Sequence, residues 1–269
     1  MNSKNPIGIF DSGVGGLSVL REIRKTLPNE DLIYVADSAY APYGDKTADV
    51  IEARSLAISH YLLSQQCKAI VVACNTATGA AVAALRSVFS IPIIAMEPAV
   101  KPAAIHTKSG VIGVLATRRT LASDNFIQLF ARYGTDVEIL GQACPGLVEQ
   151  VETGDLYSPK TRQLVEKYVL PLVEQGADIL VLGCTHYPFL NPLIKEITGE
   201  KIAVIDSAHA VARELHRRLK TADLLVKENR IGTERFCSSD DSLLAKELIT
   251  RLWEDDVEVQ ILPKFYNKE

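Results

Sequence analysis

A chain of 269 residues is long enough for one large or two small domains with proper cores. Hydrophobic residues make up 47% and charged residues 23%, a globular balance that excludes a disordered chain. The formal charge of −4 gives no electrostatic basis for a nucleic-acid or anionic-membrane partner, and five cysteines without a CxxC pair speak against a disulfide framework. The first residues, Met-Asn-Ser-Lys-Asn-Pro, lack the apolar core of a signal peptide, and no apolar stretch approaches a membrane span. The expectation is a reduced, soluble, cytoplasmic protein.

Short apolar runs alternate with segments of helical period. Ile7 to Phe10 predicts a strand, followed by a glycine turn and a helix from Leu17 that stops near Pro28. Leu32 to Ala36 predicts the next strand, and Val50, Ala53, Ala57 and Tyr61 recur at helical spacing. A strand then runs to Cys74, a helix covers Ala77 to Val88, and Ile91 to Ala95 is a further strand. Strands alternating with helices imply right-handed crossovers and a parallel sheet.

The pattern then restarts. Val111 to Thr117 echoes Ile7 to Ser12, the segment ending at Cys184 echoes the one ending at Cys74, and Ile202 to Asp206 echoes Ile91 to Glu97. The spacing from Gly113 to Cys184 matches that from Gly8 to Cys74 within a few residues. The fold class expected is α/β, with two pseudo-symmetric parallel-sheet lobes and a site in the cleft between them. The first lobe would span 1–98 and the second 99–207. The segment 208–269 would return to the first lobe, with a helix through Val211, Leu215 and Leu219, a strand near Phe236, a helix capped at Ser239 or Asp240, and a strand over Val257 to Ile261.

Cys74 and Cys184 each end a buried strand, and each is expected to precede a helix whose N-terminus would favour a thiolate. A lone cysteine in an apolar run is usually a small buried hydrophobe, the reading that suits Cys67, Cys144 and Cys237. Two thiols in matched settings point instead to a pair of acid/base groups on opposite sides of one small substrate. Asn75, Thr76 and Thr185 add uncharged hydrogen-bonding groups beside them. Asp11 could hold an ammonium or orient a base, or it could merely cap the Gly13–Gly16 turn. Ser12 and the Tyr43–Gly44 pair lie in loops that could reach the same mouth. His186 could pair with a thiol; Cys184 and His186 alone are too few ligands for zinc, so no metal is expected. Glu152, by itself, reads as a solvated charge. The turn also partly matches a dinucleotide fingerprint, with Asp37 ending the next strand, but Ser18 stands where a third glycine is wanted and Asp11 would repel a pyrophosphate.

Asp11-Ser12-Gly13-x-Gly15-Gly16, Ala41-Pro42-Tyr43-Gly44, Ala73-Cys74-Asn75-Thr76-Ala77 and Gly183-Cys184-Thr185-His186-Tyr187-Pro188 occur in this order. With them the chain resembles the cofactor-independent aspartate/glutamate racemase superfamily, and within it the glutamate racemases. The resemblance implies two pseudo-symmetric lobes, interconversion of L- and D-glutamate without a cofactor, D-glutamate supply for peptidoglycan, and a homodimer. It implies that Cys74 takes the Cα proton from D-glutamate and Cys184 from L-glutamate, with Asp11, Glu152 and His186 assisting. It further implies substrate contacts from Asp11, Ser12, Tyr43, Gly44, Asn75, Thr76, Thr185 and His186. Two alternatives stay open on the residues alone: the same thiol pair acting on aspartate or a hydantoin, and an amino-acid-binding protein that turns nothing over.

Overall fold

The computed structural model describes residues 2–266; residues 1 and 267–269, the outer ends of the expected first and last segments, lie outside the described residues. The chain opens with strand β1 (Ile7–Asp11), helix α1 (Leu17–Thr26) and strand β2 (Leu32–Ala36). Next come α2 (Ala48–Ser64), β3 (Ala69–Val72), α3 (Asn75–Val88) and β4 (Ile93–Ile94). The second half supplies α4 (Val100–His106), β5 (Val111–Ala116), α5 (Arg118–Leu121), α6 (Asp124–Tyr133) and β6 (Glu138–Ala143). It continues with α7 (Leu147–Glu152), α8 (Pro159–Glu174), β7 (Ile179–Leu182), α9 (Asn191–Thr198) and β8 (Ala203–Ile205). After α10 (Ala208–Thr221) follow β9 (Glu234–Ser238), α11 (Leu243–Trp253) and β10 (Val259–Ile261).

All strand pairs are parallel, in two sheets ordered β10-β9-β2-β1-β3-β4 and β6-β5-β7-β8. The four-strand order β2-β1-β3-β4 repeats as β6-β5-β7-β8, and the register repeats with it: Gly8 lies opposite Ile70, and Gly113 opposite Leu180. This is the two-lobed α/β architecture expected from the restart of the pattern. The glycine pair has a packing reason. A Cβ on Gly8 would come within 2.9 Å of Leu62 on α2, and one on Gly113 within 2.8 Å of Leu172 on α8, so both let a covering helix close on its sheet. One apolar core runs through both lobes, and each sheet packs a further core on its outer face. β9 extends the first sheet beyond β2, and β10 lies beyond β9.

Local readings needed correction in four places. Helix α2 forms, but of the positions at helical spacing Val50 and Ala53 are exposed, Ala57 is half-buried and Tyr61 is buried, and the buried side also carries Ile51, Arg54, Ser55, Ile58 and Ser59. Helix α11 begins at Leu243 under a Ser242 cap, whose Oγ accepts the Ala245 N–H at 3.2 Å, later than expected. Cys184 leads into a 3-10 turn, Tyr187–Leu190, before α9, so it lacks the helix N-terminus foreseen for it. Strand β6 and helices α4 to α6 and α8 went unforeseen; β6 is an edge strand with only Ile139 buried, which leaves almost no apolar signal.

In each half the chain steps from the central strand to one neighbour and then crosses to the other side. The crevice between β1 and β3, and that between β5 and β7, are therefore topological switch points, where α/β sheets bind ligands beyond the strand ends. Asp11 ends β1, while Cys74 and Cys184 lie two residues past β3 and β7.

Candidate active site

Cys74 caps α3: its Sγ accepts the Ala77 N–H at 3.4 Å, the place a serine or aspartate oxygen would occupy. Its thiol also reaches Ser12 Oγ at 3.8 Å. Burial, followed by the nearby Asp11 carboxylate, pushes the Cys74 thiol well up from its usual value, against the helix N–H and Ser12 that act the other way. The expected bias of Cys74 toward thiolate is thus reversed, because the group is fully desolvated. Cys74 rests as a thiol.

Cys184 has a different companion. Its Sγ lies 3.7 Å from His186 Nδ1, and His186 Nε2 lies 2.6 Å from Glu152 Oε1. Burial opposes charge on this imidazole, but the hydrogen bonds with Cys184 and Glu152 outweigh it and hold the His186 pKa well above the usual range. The shift favours the imidazolium, the form in which Nδ1 carries a proton toward the sulfur. Glu152 is no solvated charge: Oε1 also accepts the Val14 N–H at 2.8 Å from the glycine turn of the other lobe.

That turn is shaped by what packs on it. A Cβ on Gly13 would fall 1.8 Å from Glu152 Oε1, and one on Gly15 would fall 2.3 Å from His186 Nδ1. The glycines admit the Glu152–His186 pair, and the turn's amides are already engaged by carboxylates, which disfavours a phosphate there. Asp11 Oδ2 accepts the Gly13 and Gly16 N–H groups at 3.3 and 3.0 Å, and Oδ1 accepts from Thr185 Oγ1 at 3.2 Å. Asp11 therefore holds the turn, one of the two readings, and also ties it to the Cys184 segment through Thr185.

Ser12, Tyr43, Gly44, Cys74, Asn75, Thr76, Cys184 and Thr185 line one cavity between the lobes, with Asp11, Glu152 and His186 directly behind it. The cavity is tight, with room for about one water molecule. Both polar atoms of the Asn75 amide are buried and lack a hydrogen-bond partner, an uncommon cost at the cavity wall. The Tyr43 loop is buttressed from below: Arg54 Nε and Nη2 pair with Asp37 at 3.0 and 2.7 Å, and the Tyr43 hydroxyl donates to the same carboxylate.

Sequence reasoning missed Thr117 and Val148, which also line the cavity. Thr117 Oγ1 lies 2.9 Å from Thr76 Oγ1 across the lobes. The signal for it was present, since Thr117 stands in the second half where Ser12 stands in the first. Val148, on α7, had none. Arg54 went unassigned because a charge on the buried side interrupts the apolar period of α2, and Asp37, weighed only as part of a dinucleotide fingerprint, meets Arg54 only in the fold.

The family described as Asp/Glu/Hydantoin racemase matches residues 7–215. Over 261 residues the chain is 53% identical to a glutamate racemase of Methylococcus capsulatus, covering 97% of this chain and 96% of that one. The glutamate racemase isoform RacE1 of Bacillus anthracis has a crystal structure that superposes with a TM-score of 0.88 at 33% identity, covering 97% of this chain and 98% of that chain. The glutamate racemase of Francisella tularensis in complex with D-glutamate superposes at 0.83 with 27% identity, covering 97% and 98%.

Proposed function

We propose that this chain, which belongs to the Asp/Glu/hydantoin racemase family, interconverts L- and D-glutamate by a two-thiol mechanism without a cofactor. The observation that carries the reading is the pair of cysteines delivered to one cavity by equivalent strand ends of two lobes. Racemisation removes the Cα proton from one face and delivers another to the opposite face, and two facing sulfurs do both without moving the base. In the L-to-D direction the Cys184 thiolate takes the Cα proton while Cys74 gives its own to the other face. Cys184 ends as thiol and Cys74 as thiolate, so the reverse direction starts from the products of the forward one. The protonated rest state of Cys74 suits this assignment.

A Cα–H is far less acidic than a thiol, and general base catalysis contributes only about 10²–10⁴-fold. The remainder falls to groups that stabilise charge growing on the α-carboxylate: the Asn75 amide, the Thr76 hydroxyl and the amides opening α3. Glu152 fixes the His186 ring, and His186 steadies negative charge on Cys184 during turnover. The resemblance to glutamate racemases adds a place for the activity, D-glutamate supply for peptidoglycan by a cytoplasmic homodimer. Light scattering at twice the 29.4 kDa chain mass tests the assembly.

The activity is tested by incubating the protein with L-glutamate in D₂O and no added cofactor. Deuterium entering Cα together with loss of optical rotation is expected. Binding without exchange would leave an amino-acid-binding protein, and turnover of aspartate or a hydantoin in place of glutamate would move the substrate assignment.

A further inference from the structure

Outside the catalytic cavity, a pocket of about 420 Å³ opens between the lobes, within the size range of small-molecule sites. The two spaces share Gly44 as a common wall. The seam between lobes is closed by small contacts: a Cβ on Gly44 would lie 3.2 Å from Thr117 Cβ, and one on Gly79 would lie 3.0 Å from Ser123 Cβ. The second lobe lines the pocket with Arg118 and Arg119, against a single acidic side chain, Asp124. Among the described residues neither arginine has an ion-pair partner, and Arg119 Nε is buried without a hydrogen bond. Arg118, exposed at the pocket wall, and the half-buried Arg119 thus place two guanidinium groups, opposed by one carboxylate, beside a site too tight for free access.

We propose that this pocket is an anion-attracting vestibule in which Arg118 and Arg119 capture the carboxylates of a dicarboxylate amino acid before the lobes part at Gly44 and Thr117. The inference rests on the glutamate reading and extends it to how substrate arrives. The arginines do not touch the reacting atoms. They raise the local concentration of a net anion, an effect that salt screens over about 10 Å at 0.1 M ionic strength.

The test compares wild type, R118A/R119A and the charge-conserving R118K/R119K from about 0.02 M to about 0.5 M NaCl. At low salt, kcat/KM of R118A/R119A is expected to fall about 3- to 5-fold for both enantiomers, with kcat unchanged. The difference should vanish at high salt, and the lysine variant should track wild type. Glutarate, a dicarboxylate that cannot racemise, is the binding probe in calorimetry, and its affinity should show the same salt-dependent gap. Wild-type turnover reports on the proposed reaction, while the glutarate comparison reports on the vestibule whether or not turnover occurs. Equal salt slopes in wild type and R118A/R119A would overturn the vestibule. So would a fall in kcat that persists at all salt concentrations.

Discussion

Asp11 keeps both oxygens in hydrogen bonds, yet complete burial outweighs the His186 charge and pushes its carboxyl up to about 6. A folded-state value above the unfolded one means that the native protein holds this proton more tightly. The stability so gained is fully present below about pH 4 and is lost as pH rises through about 6, a difference of about 3 kcal/mol. Asp11→Asn can keep the turn and Thr185 contacts through its amide, so it should equal wild type near pH 4 and exceed it by up to about 3 kcal/mol above pH 6. It should also be less active, a stability–function trade-off at one residue. Urea denaturation across that range checks this, and a stability difference that ignores pH would refute it. Cys74 supports a second experiment, because it is both a proposed acid/base group and a helix cap. Cys74→Ala and Cys74→Ser should each lose at least about 10²-fold in kcat. Only the alanine variant loses the cap, so it should be the less stable of the two by about 1 kcal/mol. Equal denaturation midpoints would mean that the Sγ contact to Ala77 contributes nothing.

At the level of elements, the glycine turn between β1 and α1 serves as a socket for the pair carried by α7 and the Cys184 segment. Gly13→Ala should displace Glu152 and lower kcat by at least about 10-fold while costing about 1–3 kcal/mol in stability. Glu152→Gln in the same assays separates the two effects, since it weakens the His186 partner without adding bulk. A Gly13→Ala enzyme with native kcat would refute the socket. The elements around this turn were legible in the sequence because buried parallel strands appear as continuous apolar runs, as at Ile7–Asp11, Ala69–Val72 and Ile179–Leu182. The two thiols were legible because the pattern repeats. Helix α2 shows where such reading fails. Its inner side carries Arg54, whose charge is matched by Asp37, a residue brought beside it only by the fold, so apolar period alone misplaces Val50 and Ala53 while Tyr61 is buried as the spacing implies. The role of Glu152 was hidden for a similar reason, since the Val14 amide that receives it belongs to the other lobe.

For the molecule as a whole, the strand order has a consequence for how the chain is made. The strands of the second sheet, β5 to β8, all lie within Val111–Ile205, so that sheet can form while the rest of the chain is still being synthesised. The first sheet cannot be finished in the same way. β2 pairs with β9 from Leu32↔Glu234 to Ala36↔Ser238, so a partner leaving the ribosome some two hundred residues later must complete it. Until then β2 is an open edge whose residues, Leu32 to Ala36, are all buried in the finished protein. Unpaired apolar edges invite pairing with other chains. A nascent or truncated chain ending before Glu234 is therefore expected to be insoluble or held by a chaperone, although it contains both cysteines. Supplying the missing segment as a separate polypeptide should restore solubility. Expression of the truncated chain with and without that fragment measures this, and a truncated chain that is soluble and monomeric alone would show that β2 needs no late partner.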